Sequence, residues 1–326
     1  MRAVVVNGTD GPSSVSVEEV PRPLPGPKQV AIRVRAAGVT FPDLLYARGE
    51  YQVRPELPFR LGQECAGVVL HAPTDSKFSP GDRVAAYCSD LGAFADVVVV
   101  DADGVVPLPG SVPYGVGAAL MINYLTAHFG LIRRGRLGSG QSVVIHGATG
   151  GVGTAAIQIA VEAGARVIAV VSTVEKATLA RAIGAHDVVL ADGFRDSVQR
   201  LMPAGVDLVF DTVGDERFAD SVRILKPEGN VLVVGFAGGS IPTVKVNKLL
   251  LTNTGVLGVG WGRVALEPGY IAGQWAELLP GIAGGRLRPP ITGSFPLEHA
   301  AAALSRLTER HAGKSILEVS VDDDLT

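Results

Sequence analysis

Residues 142–153, Ser-Val-Val-Ile-His-Gly-Ala-Thr-Gly-Gly-Val-Gly, constrain this chain more than any other stretch. The run 142–146 is apolar, rich in β-branched residues and as long as one buried strand. Gly147, Gly150, Gly151 and Gly153 crowd into a turn directly after it. Val152, Ala155, Ala156, Ile159, Ala160 and Ala163 then recur at helical spacing until Gly164 stops them. Strand, glycine turn and helix make a phosphate-binding unit. Glycine lets the backbone approach an anion, and the helix N-terminus offers N–H groups to it. Ala148 occupies the place of the usual first glycine of G-x-G-x-x-G, with Gly150 and Gly153 in the later two. A glycine pattern alone is weak evidence; here a second strand, Arg166–Val171, arrives at the spacing of a βαβ unit.

Around this unit the chain divides into two patterns. Residues 1–110 carry short strands punctuated by Pro and Gly, at 3–6, 15–17, 29–34, 66–70, 83–87 and 95–100. Pro21, Pro23, Pro25 and Pro27 form an extended connector, and 43–48 a short helix ended by Gly49. From about 115 to 285 strand alternates with helix. Strands are expected at 187–190, 206–210, 230–234 and 256–259, and helices at 174–183, 195–201, 216–225, 248–251 and 275–282. This predicts an α/β protein with a doubly wound parallel sheet in its second part. After Arg286 the chain returns to a strand, a helix over 297–307 and a strand over 315–319. That tail is too short to fold alone. The expected domains are therefore 1–115 completed by 286–326, and 116–285.

Composition removes several classes of partner. Net charge is −3 without long charge runs, which argues against nucleic acid and against an anionic membrane surface. Apolar stretches are broken well before the roughly 18 residues that span a bilayer. The first eight residues turn polar too soon for a signal peptide. Two cysteines, Cys65 and Cys88, make no disulfide framework, so the expected compartment is cytoplasmic.

An NAD-binding fold carries an Asp or Glu about twenty residues after the glycine turn, for the adenosine ribose. Here the second strand ends Ala169-Val170-Val171-Ser172-Thr173 without a carboxylate, and Lys176 follows. The Ser172 hydroxyl and Lys176 ammonium suit a 2′-phosphate, which favours NADPH over NADH. The competing reading of Lys176 is a solvated helix charge. The competing reading of the whole domain is a non-catalytic NADPH-binding protein.

Several further motifs occur in one order over nearly all 326 residues. They are Ala37-Gly38-Val39-Thr40-Phe41-Pro42-Asp43, Gly62-Gln63-Glu64-Cys65-Ala66-Gly67-Val68-Val69, Pro80-Gly81-Asp82-Arg83-Val84, Gly92-Ala93-Phe94-Ala95, Asn123-Tyr124-Leu125-Thr126-Ala127, Asp211-Thr212-Val213-Gly214 and Gly313-Lys314. With the glycine turn, they resemble the zinc-free medium-chain dehydrogenase/reductases of the NADPH:quinone oxidoreductase, zeta-crystallin-like branch. The resemblance implies a GroES-like β-rich catalytic domain and a Rossmann domain. It also implies NADPH as hydride donor, a quinone or other α,β-unsaturated carbonyl as acceptor, and a homodimer joined near residues 255–260. The cofactor set it implies is Thr126, Gly150, Gly151, Val152, Ser172, Lys176, Val213, Gly235, Phe236, Arg310 and Lys314. An enoyl thioester reductase is the alternative enzyme.

Zinc-dependent relatives need a Cys where Thr40 stands and a His where Gln63 stands, and a Thr hydroxyl or Gln amide replaces them poorly. His71, His128, His146, His186, His299 and His311 are scattered without ligand spacing, so no metal site is expected. Without metal, negative charge developing on an acceptor oxygen must meet a hydrogen-bond donor. Tyr51 is the leading candidate, because its Gly-x-Tyr context resembles that of enoyl thioester reductases; a packing wall is the equal alternative. Thr40 and Asn123 complete the catalytic set.

Overall fold

In the computed structural model, residues 1–309 and 311–319 are described. The chain forms two compact units, one of Met1–Ile122 with Arg263–Thr326 and the other of Asn123–Gly262.

The second unit is built on a six-stranded, all-parallel sheet. Its spatial order is Asp187–Leu190, Arg166–Val171, Ser142–Ile145, Val206–Asp211, Leu225–Val233 and Gly255–Gly258. In chain order that is 3-2-1-4-5-6, the arrangement of a dinucleotide-binding fold, with the order reversing beside the first strand. Val144, Ile168, Val170, Val206, Val209 and Val231 pack with Phe194, Phe218 and Val222 from the covering helices. These strands are buried on both faces, which explains why they read as continuous apolar runs rather than alternations.

The first unit holds a larger sheet ordered Ile291–Pro296, Lys314–Glu318, Gln29–Val39, Glu64–His71, Arg83–Tyr87 and Val105–Pro107, with Val97–Asp101 also pairing with Gln29–Val39. A three-stranded sheet sets Arg2–Val6 between Val15–Glu19 and Phe59–Arg60. The C-terminal helix Ala300–Thr308 packs Ala303 and Leu304 into the same core as Val34, Leu44 and Phe94. Helix Tyr270–Ala283 also belongs to this unit: buried Trp275 donates its Nε1–H to Pro107 O at 3.0 Å.

Several elements depart from the sequence expectation. The strand starting at Gln29 runs eleven residues to Val39, because its second half pairs with both Lys314–Glu318 and Glu64–His71. The strand expected at 230–234 begins at Leu225, and the helix expected over 216–225 is confined to Phe218–Arg223. Helices Tyr114–Ala118 and Met121–His128, followed by a π-helical turn Phe129–Arg134, were not anticipated. Among the described residues no helix is long and apolar enough to cross a membrane.

Candidate active site

In the second unit the strand Ser142–Ile145 delivers the chain to the glycine turn. Gly147 has φ +61°, and a side chain there would collide with Thr212 Oγ1. A Cβ on Gly151 would strike the Asn123 amide, so the bare backbone is what fits beside it. Helix Gly151–Glu162 starts from Gly150 with no side-chain cap, so its first N–H groups have no side-chain acceptor, as suits an anion site. Gly150, Gly151 and Val152 are all partly exposed, whereas Asn123 is buried and Thr126 half-buried on the helix Met121–His128.

Asp211 closes the fourth strand with its carboxylate accepting from Val213 N–H at 2.8 Å and Gly214 N–H at 3.0 Å. Burial raises its pKa, and these bonds oppose the shift. The loop it pins carries Val213, and Val213 O accepts from Gly238 N–H at 2.9 Å, which ties in the segment holding Gly235 and exposed Phe236. His146 is buried, bonded through Nε2 to Ser221 Oγ at 3.0 Å and set edge-on to Phe194. Burial pushes its pKa down to about 3, so it stays neutral and serves the packing under the turn.

Lys176 Nζ donates to Ser172 Oγ at 3.0 Å, which puts hydroxyl and ammonium side by side at the surface. Glu175, which sequence reasoning passed over, is exposed, and a hydrogen bond from the Thr173 side chain lowers its pKa. Arg310 lies outside the described residues. Lys314, expected in the cofactor set, lies in the first unit. It is 3% exposed and its Nζ sits 2.5 Å from Glu64 Oε1.

That ion pair anchors the polar centre of the first unit. Lys314 lies on one neighbour of the strand Gln29–Val39 and Glu64 on the other. Gly38, on the strand between, makes room: a Cβ there would collide with Glu64 Oε1. Glu64 Oε2 accepts from Ile122 N–H at 2.7 Å, so both carboxylate oxygens are bonded. Thr40 and Asp43 form a capping box on helix Phe41–Ala47. Asp43 Oδ2 accepts from Thr40 N–H at 2.7 Å and from Thr40 Oγ1–H at 2.6 Å. Asp43 Oδ1 and Gln63 Oε1 are buried acceptors without a hydrogen-bond partner among the described residues.

Three phenols border this centre. The Tyr46 and Tyr51 rings lie 4.4 Å apart. Burial raises the pKa of both, and pushes that of Tyr87 up to about 12, so all three are protonated donors at neutral pH. Asp43 adds to the Tyr51 shift and Tyr51 to that of Tyr87, which marks them as electrostatic neighbours. Sequence reasoning selected Tyr51 and Thr40 but not Asp43 or Tyr87, whose burial arises from packing between segments distant in the chain.

One chain that carries both a glycine-turn dinucleotide unit and a β-rich unit with a polar centre has the parts of a nicotinamide-dependent dehydrogenase or reductase. Residues 26–110 match the alcohol dehydrogenase GroES-like domain and residues 151–281 the zinc-binding dehydrogenase family. The rat quinone oxidoreductase-like protein 2 is 34% identical over 98% of this chain and 92% of its own. A probable oxidoreductase from Mycobacterium abscessus superposes with TM-score 0.89 at 37% identity, over 98% of both chains. The Escherichia coli quinone oxidoreductase complexed with NADPH superposes with TM-score 0.91 at 26% identity, over 98% of this chain and 100% of that one. The chain belongs to the quinone oxidoreductase branch of the medium-chain dehydrogenase/reductases and is an oxidoreductase.

Zinc, which one of these family names carries, does not suit the donors present. The Thr40 hydroxyl is committed to Asp43, and Gln63 offers only an amide. No group of three or more His, Cys, Asp or Glu among the described residues could hold a metal ion. Elemental analysis of the purified protein is expected to find no stoichiometric zinc, and chelation to leave turnover intact. Activity lost to chelator and restored by Zn²⁺ would reverse this reading.

Proposed function

We propose that this chain is an NADPH-dependent reductase that adds hydride to a quinone or another α,β-unsaturated carbonyl, without metal. The observation that carries the reading is the uncapped helix start behind the Gly147 turn, with Ser172 and Lys176 at the end of the neighbouring strand. The turn fits a pyrophosphate, and the hydroxyl–ammonium pair fits a 2′-phosphate. When bound, NADPH supplies the hydride. Thr126, the Gly150–Val152 backbone, Val213 and the Gly235-Phe236 segment hold and orient it in this reading. The first unit supplies what the acceptor needs: the Tyr51 phenol and Thr40 hydroxyl as donors to an oxygen gaining charge. Asn123, buried against Gly151, fixes the turn as much as it serves an acceptor.

A screen of quinones, enones and enoyl thioesters, following NADPH absorbance, tests the reading. Tight NADPH binding with no turnover of any carbonyl acceptor would favour a non-catalytic binding protein. For the cofactor, NADPH is expected to bind more tightly than NADH, and Lys176→Ala to narrow the gap by about 1.5 to 3 kcal/mol, the worth of one charge-assisted contact. Calorimetric titration that finds equal affinities in the unmutated protein would refute it.

Self-association is part of the same proposal. Gly255–Gly258 is the terminal strand of its sheet, and Ile241, Val246, Leu250 and Leu251 nearby in sequence are each about three-quarters exposed. An open strand edge beside apolar residues suits pairing with a second copy. Light scattering is expected to report a dimer, and Leu250→Asp with Leu251→Asp a monomer. The two buried thiols are compatible with a reducing, cytoplasmic setting.

A further inference from the structure

The bonds around Asp43 are those of a helix cap, but its surroundings are not those of a cap. Capping boxes sit at the surface, whereas Asp43 has no exposed area. The charged groups acting on it are Lys314 and Glu64, and the titratable ones Tyr46, Tyr51 and Cys88. Burial holds the two phenols in the neutral form, and the Cys88 thiol is likewise kept neutral by its hydrogen bond with Cys65 and by burial. The balance therefore rests on two buried carboxyls against one ammonium. Glu64 takes the ammonium at 2.5 Å and an amide N–H besides. Among the described residues, Asp43 is left with two bonds from one residue, both to Oδ2, and a buried Oδ1 that receives none. An ionised carboxylate in such a place is poorly compensated. The neutral acid relieves the excess charge, and burial accordingly pushes the Asp43 pKa up to about 7.

We propose that the Asp43 carboxyl is the proton reservoir of this site, feeding the Thr40 hydroxyl as an acceptor oxygen beside it gains charge. The inference rests on the reductase reading and adds the source of its proton. With a proton on Oδ2 the 2.6 Å bond reverses direction: Asp43 donates to Thr40 Oγ1, and the Thr40 proton turns toward the acceptor. Once the acceptor carbon has gained its hydride, the acceptor oxygen would take the Thr40 proton and Thr40 would take that of Asp43. The acceptor has gained one hydride and one proton, Asp43 is ionised, and water returns its proton before the next cycle. Asp43 acts through Thr40 and is a positioning, proton-supplying residue; Tyr51 stabilises charge without giving up its proton.

The test has an arm without cofactor and an arm with it. Linkage fixes the sign of the first. The Asp43 pKa is raised on folding, so its contribution to stability is full below the ordinary value of 3.8 and is lost as pH climbs to about 7. The stability of wild type relative to Asp43→Asn should fall across that window and level off above it. In the infrared spectrum of the apoprotein, a protonated carboxyl band should disappear through the same range in wild type and be absent from the variant. In the second arm, wild-type kcat should fall above about pH 7, and Asp43→Asn should lower kcat about 100-fold, abolish that limb and leave KM for NADPH in place. Thr40→Val should do the same to kcat while keeping the infrared band, and Thr40→Ser should restore turnover. An Asp43 carboxyl already ionised at pH 5 in the apoprotein overturns the reservoir. So does an alkaline limb unchanged in Asp43→Asn on an acceptor that is turned over. Turnover of no carbonyl acceptor removes the relay together with the reductase reading, while the apoprotein titration shows separately whether the carboxyl holds its proton.

Discussion

Lys314→Met is expected to lower the stability of the first unit by about 3 to 5 kcal/mol, the usual cost of leaving one member of a buried ion pair without its partner. The pair is nearly closed to solvent, with Lys314 3% and Glu64 0% exposed. Glu64 cannot turn to water for relief: Gly38 and Ala118 close around its carboxylate, and Oε2 is held by Ile122 N–H. Since whole domains are stable by only about 5 to 15 kcal/mol, the loss should be plain in urea unfolding. Trp275 is buried in this unit and provides the fluorescence signal, best recorded in a Trp261→Phe background because Trp261 lies in the other unit. Adding Glu64→Gln should recover part of the loss, since the amide oxygen can still accept from Ile122 N–H while the buried charge is gone. If Lys314→Met costs less than about 1 kcal/mol, the pair is solvated and contributes no more than a surface ion pair.

What the sequence revealed, and what it withheld, follows from the range of the forces involved. The parallel sheet was legible because its central strands Ser142–Ile145, Arg166–Val171 and Val206–Asp211 are apolar runs rich in valine and isoleucine, and the Gly147–Gly153 segment marks the first crossover by itself. The helix Tyr114–Ala118 was not, because Gly115 and Gly117 lower its helical propensity; in the structure they let the chain press against Ile316 and Leu108. Thr40 and Gln63 could be placed by motif, and their unsuitability for zinc follows from side-chain chemistry alone. The partnership of Lys314 with Glu64 could not, since it joins residues 250 positions apart across a strand whose glycine has no signature of its own. Lys314 enters the cofactor set through the family resemblance alone, and its burial against Glu64 is a non-local fact that no local pattern announces. Asp43 was hidden for the same reason: its sequence context is that of the acid in an ordinary capping box, three residues after the N-cap Thr40, and only non-local packing buries it.

Tyr51→Phe is expected to lower kcat about 100-fold on an enone or enoyl thioester and to leave NADPH affinity nearly unchanged, the mark of a lost oxyanion donor. The phenol is suited to the task. Burial and the nearby Asp43 raise its pKa, so it remains a donor throughout the neutral range and resists giving up its proton. Its ring is braced by Tyr46 at 4.4 Å, which restricts where the hydroxyl can point. Phe keeps that packing and removes only the O–H. A quinone needs this donor less, because the electrons it accepts restore aromaticity and its reduced oxygens are intrinsically more stable. The loss on a quinone should therefore be several-fold rather than 100-fold, and the ratio of the two losses identifies the acceptor class for which the site is arranged. The packing alternative predicts the opposite split: Tyr51→Phe silent on every acceptor, and Tyr51→Ala raising KM as the wall beside Tyr46 is lost. Steady-state kinetics of both variants on one quinone and one enone separate the two. A silent Tyr51→Phe on an enone that wild type reduces well would leave Thr40 as the donor that meets the oxyanion.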